Sequence, residues 1–137
     1  MWVLFAFLSA FFAALTSILA KIGIQDVNSN VATAIRTIVV LVMSWAIVFI
    51  TRKHNEVFTI GYKNYLFLVL SGLATGLSWL CYYRALQIGE VSKVMPIDKF
   101  SLVFGMVMAF IVLKETITIK TVLGGVLITL GTFVLIF

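Results

Sequence analysis

A chain of 137 residues that is 63% hydrophobic and 11% charged, with mean hydropathy +1.19, lacks the polar surface that a water-soluble domain of this size needs. Its net charge of +5 is what connector lysines and arginines give a membrane protein, so it is not read as a nucleic-acid footprint. One cysteine, Cys81, and one histidine, His54, exclude an intrachain disulfide and a zinc-type ligand set, and no metal or cofactor is expected.

The first apolar segment covers residues 2–22. It begins at Trp2 with no basic residue before it and is longer than a signal-peptide core, so it reads as a span. Lys21 closes it, where a cation suits the negative end of the helix dipole. The second segment, residues 31–50, is interrupted only by Arg36. The third, residues 65–83, carries Gly72, Gly76, Trp79 and Tyr83, whose spacing puts them on one helix face. The Gly-x-x-x-Gly half suits close helix contact. The aromatic half suits either a cavity wall or an interfacial anchor, and the anchor reading is preferred for Tyr83 and its neighbour Tyr82.

The fourth segment, residues 91–113, contains "VSKVMPIDKFSLVFG". Here the only proline, Pro96, is followed by Asp98 and Lys99. Proline removes one backbone donor and frees a carbonyl one turn earlier, and bends of this kind in transporters leave polar backbone near a cavity. The fifth segment, residues 121–137, has no charge and holds Gly124, Gly125 and Gly131. It reads as a packing helix or a dimer seam. Glu115 with Thr116 is expected to cap it. Each segment is close to the ~20 residues that cross a bilayer as a helix, and none alternates in polarity as barrel strands do. The fold class is therefore all-α, an integral membrane bundle of five transmembrane helices, with residues 1–137 as one domain.

Five spans put the termini on opposite sides. One face receives Lys21, Arg36, Arg84, Lys93 and Lys99, and the other Arg52, Lys53, Lys63, Lys114 and Lys120. Leaving out the deep Arg36 and Lys99 turns five against five into three against five. The positive-inside rule then puts the N-terminus in the cytoplasm. The margin is small enough to keep dual topology open beside a single orientation.

A charge in the middle of a membrane helix costs on the order of 3 kcal/mol, so such groups face protein or water. Arg36 and Asp98 lie roughly 8 and 10 Å from the same face. Lys99 projects about 100° from Asp98 and need not share its partner. Two readings stay open. In one, Arg36, Lys99 and Asp98 line a polar vestibule that recognises an anion. In the other, Arg36 and Asp98 form a static bridge while Lys99 snorkels to the headgroups. No nucleophile elbow, phosphate loop or metal cluster is present, so no enzyme is expected.

With "ILAKIGI", "ATAIRTIVVL", "SGLATGLSWLCYYRALQIGEVSKVMPI" and "LKETITIKTVLGGVLITLGTFVLI" in view, the chain resembles the drug/metabolite transporter superfamily, as a single EamA-type domain. The resemblance covers nearly the whole chain. Larger members resemble two such units fused in opposite orientation, so this chain would be half of a ten-helix inverted-repeat architecture. That implies a homodimer, antiparallel in one arrangement, or a pair with a similar half-size protein. It also implies a central cavity whose matching positions here include Arg36, Trp79, Tyr83, Asp98 and Lys99, a small-molecule substrate, and a place in the cell (inner) membrane.

The resulting expectation is a secondary transporter that exports a small polar metabolite or drug by alternating access. The alternatives are a small-multidrug-resistance-like cation exporter, a subunit of a lipid-linked sugar flippase, and a non-transport membrane assembly factor. The first alternative relies on a glutamate in helix one, and the first segment here has no acidic residue.

Overall fold

A computed structural model describes residues 2–137. Its helices are α1 (Trp2–Gly23), α2 (Ser29–Ile50), α3 (Tyr62–Ile88), α4 (Val91–Asp98), α5 (Phe100–Leu113) and α6 (Ile119–Ile136), and a 3₁₀ segment, His54–Thr59, follows α2. The described residues contain no strand. Five stretches are long and apolar enough to cross a membrane: α1, α2, α3, the α4–α5 run Val91–Leu113, and α6. Helices suit this solvent because each satisfies its own backbone in lipid. Large apolar side chains stand exposed along every span, among them Phe7, Val42, Leu73, Phe104 and Val134. In water that pattern would be untenable, but facing lipid or a second chain it is ordinary.

The segment boundaries differ from the hydropathy reading at polar helix ends. α2 begins at Ser29 because Asn28 caps it, the side chain accepting the Asn30 N–H at 2.9 Å. α3 runs 27 residues, about 40 Å. It absorbs "RALQI" of the expected connector and leaves only Gly89 and Glu90 before α4. α6 is capped by Thr118, whose hydroxyl accepts the Thr121 N–H at 3.2 Å. This corrects the expectation for Glu115 and Thr116. Residues 114–118 are non-helical, so those two lie too far ahead of the first turn.

α2 ends in a Schellman turn. Arg52 takes φ 57°, its N–H bonds to Phe49 O at 3.0 Å, and that of Lys53 bonds to Val48 O at 3.0 Å. Beyond the turn Lys53 donates to Glu56. That bond and the carboxylate's charge raise the Lys53 pKa above its ordinary 10.5.

Two compact units make up the chain. One is Leu19–Gln87; the other is Ile88–Phe137 with the chain up to Ile18. In the first unit the buried residues are Ala20, Ile24, Ser29, Thr33, Tyr83 and Leu86. They come from the end of α1, the start of α2 and the end of α3, so the core sits at the side of the membrane where those ends gather. Lys21 Nζ donates to Leu86 O at 2.6 Å. The cation therefore satisfies an orphan carbonyl in the last turn of α3 as well as suiting the end of its own helix. Gln87 Nε2 donates to Val27 O at 2.8 Å. These two bonds tie the end of α1 and the α1–α2 connector to the end of α3.

In the second unit α6 packs on α4 and α5. Phe100 meets Phe133 edge-on, with ring centroids 5.8 Å apart. Gly125 is buried, and a methyl group there would lie 3.6 Å from Met106 Sδ.

Candidate functional site

The charged side chains farthest from the span ends, Arg36, Asp98 and Lys99, fall into two clusters, one in each unit. The first is built on α2 and α3. With α2 starting at Ser29, Arg36 lies seven residues in, about 10 Å along the axis. On α3 Trp79 and Tyr83 are one turn apart and share a face. The Arg36 guanidinium carbon lies 4.1 Å from the Trp79 ring centroid and 5.4 Å from that of Tyr83. Both rings thus present electron-rich faces to the cation. Arg36 and Trp79 are half-buried, and Tyr83 is 3% exposed. That burial corrects the preferred reading of Tyr83 as an interfacial anchor. Its ring packs inside the unit, with Tyr82 edge-on at 6.5 Å, because α3 continues five residues beyond it.

The same α3 face continues inward through Gly76 and Gly72. Successive offsets of three and four residues keep all four positions within about 60° of arc. A methyl group added at Gly76 or Gly72 would meet nothing within 4 Å. The Gly-x-x-x-Gly pair therefore makes no close helix contact within this chain. It leaves a smooth, open stripe beside Trp79.

The second cluster lies at a break in the fourth span. Pro96 sits inside α4. Three residues later the Lys99 N–H is shared between Met95 O at 3.3 Å and Pro96 O at 3.1 Å, and Leu102 N–H bonds to Lys99 O at 3.0 Å. This shift to i→i−3 bonding tightens the chain and separates α4 from α5. Asp98 is the last residue of α4, and its carboxylate lies 3.7 Å from Lys99 Nζ. The neighbours therefore do share each other as partners, contrary to the divergence of ideal helix positions, because the helix is interrupted between them. Asp98 is half-buried and Lys99 exposed.

Thr132 on α6 is buried. Its hydroxyl donates to Ile128 O at 2.8 Å and lies 3.5 Å from Pro96 O. Thr132 was not singled out in the sequence. Its signal there is faint: one of three threonines in an apolar segment, seven positions after Gly125. Of the α6 glycines only Gly125 faces a neighbour, since Gly124 and Gly131 have open space around them.

No group of three His, Cys, Asp or Glu able to hold a metal ion occurs among the described residues. The arrangement offers instead a cation stacked between rings and, separately, a neutralised pair at a helix break. An ionisable group inside a membrane span is by default a candidate site for function.

Comparison with known proteins agrees with this architecture. The profile of the EamA-like transporter family matches residues 1–137. The chain belongs to the EamA-like transporter family. A Sinorhizobium sp. protein named "Uncharacterized transporter in cobO 3'region" is 43% identical over 134 residues, covering 98% of this chain and 95% of its own. No solved structure gives a significant match. This EamA-like protein is thus a multi-pass membrane transporter, and the resemblance read from its sequence is upheld.

Proposed function

We propose that this EamA-like transporter exports a small polar metabolite or drug across the cell (inner) membrane, working as a dimer by alternating access. The observation that carries this reading is Arg36, held at membrane depth on the faces of Trp79 and Tyr83. A cation there is unfavourable in lipid, at about 3 kcal/mol on insertion scales. Stacking offsets part of that cost and leaves the N–H groups for a solute. The broken fourth span with Asp98 and Lys99 supports the same reading, because discontinuous helices carry the substrate and ion sites of many secondary transporters.

A dimer is favoured by size and surface. Larger members of the superfamily that the sequence resembles look like two such units joined, and the described residues hold five spans. Gly124 and Gly131 lie seven residues apart on one face of α6 and meet nothing within 4 Å, which suits a close helix approach by a second copy. The partner would be the same chain, antiparallel or parallel, or a similar half-size protein. The connector charges favour a cytoplasmic N-terminus.

The test is flux in proteoliposomes. Arg36→Ala and Asp98→Asn should each abolish uptake or release while the protein still elutes as a dimer. Normal transport by both variants would make the two clusters structural only, and no flux of any small polar solute by the parent protein would remove the proposal.

A further inference from the structure

We infer that the solute group read by Arg36 is a carboxylate, and that Gly76 sets the room for the body attached to it. The inference deepens the transport reading and rests on it. A guanidinium has two kinds of surface. Its faces attract rings, and its edge carries five N–H donors in a planar fork. In this protein the rings of Trp79 and Tyr83, 4.1 and 5.4 Å from the guanidinium carbon, use the faces. The edge meets no carboxylate of its own unit: Glu56 pairs with Lys53 beyond the end of α2, and no ion pair joins Arg36 to Asp26. Stacking also fixes the plane of the fork, so that two parallel N–H···O bonds to one planar oxyanion need little further ordering.

Each stacked Arg36 fork offers one charge, which matches a monoanion. A phosphate dianion would remain half uncompensated at this depth. A cationic solute would be repelled. The attached body has a place to go, because one turn inward from Trp79 the α3 face has no side chain at Gly76 and nothing within 4 Å of where one would start.

The experiment uses the full chain in detergent with Trp2→Phe and Trp45→Phe, which leaves Trp79 as the sole tryptophan. The probes are acetate, benzoate, benzamide and inorganic phosphate. Benzoate should change Trp79 emission saturably, and benzamide should need at least tenfold more. Arg36→Gln should weaken benzoate at least tenfold, and Arg36→Lys should not restore it, since an ammonium lacks the planar fork. Gly76→Leu should weaken benzoate several-fold and leave acetate unchanged.

Equal responses to benzoate and benzamide would overturn the carboxylate assignment. So would unchanged benzoate binding by Arg36→Gln, no response to either carboxylate, or displacement of benzoate by phosphate at lower concentration. Should Arg36→Gln fail to fold, the benzoate–benzamide comparison on the parent protein still decides. A protein that binds benzoate as described yet shows no flux in proteoliposomes overturns the transport reading alone. One that moves only solutes without a carboxylate overturns the carboxylate assignment alone.

Discussion

The two units hold charge at membrane depth by opposite means. In Leu19–Gln87 a lone cation, Arg36, is accommodated by quadrupoles, on Trp79 and Tyr83. In the unit containing Ile88–Phe137 a cation and an anion, Lys99 and Asp98, lie 3.7 Å apart at the point where the helix is interrupted. The ion pair neutralises itself and can be stable without a ligand. The stacked cation keeps its full charge and its hydrogen-bonding edge. The first arrangement is therefore the better candidate for recognising a solute, and the second the better candidate for a point at which a helix changes shape.

Several experiments would break or sharpen that contrast. The largest effect is expected from Arg36→Ala, which should reduce flux to background. Arg36→Lys should recover little, because a lysine keeps the charge and loses the fork. Asp98→Asn should also abolish flux, and comparing melting temperatures of the two variants separates their roles. Asp98→Asn should lower stability because Lys99 loses its counter-charge. Arg36→Ala should cost little, since it removes an uncompensated charge.

Next in size, Tyr83→Ala should destabilise the protein by roughly 3 kcal/mol, read from unfolding in detergent. It removes a buried aromatic ring and leaves a cavity beside Arg36 and Tyr82. Thr132→Val should cost about 1 kcal/mol by the same measurement, for the lost bond to Ile128 O. A larger cost would mean that Thr132 braces the break near Pro96.

The smallest effect belongs to Glu56→Gln. Lys53 has its pKa raised in the folded state, so the stability from this contact is present below the ordinary value of 10.5 and fades as pH rises through the raised one. At neutral pH the melting temperature should not move measurably, since exposed pairs contribute little. An NMR titration of Lys53 in the variant should return its pKa towards 10.5.

The five spans were legible in the sequence because hydropathy over ~20 residues is a sufficient condition for a membrane helix. Where hydropathy faded, so did the reading. The last turn of α3 reads as connector because Arg84 and Gln87 are polar, yet Lys21 and Gln87 supply the bonds that hold that turn against the end of α1 and the α1–α2 connector. Arg36, Trp79 and Tyr83 could each be named from residue type and depth. Their meeting could not, because it depends on how α2 and α3 are rotated against each other.

What the sequence determined by itself is the class of the protein: its apolar content forces it into lipid, and its long, non-alternating apolar runs leave helices as the way to satisfy the backbone there. The tertiary structure decided which charges find which partners. Helix faces and breaks are set by side-chain packing and by local bonds such as the shared N–H of Lys99. In this protein those local contacts gave Asp98 its neighbour as counter-ion and gave Arg36 two aromatic rings.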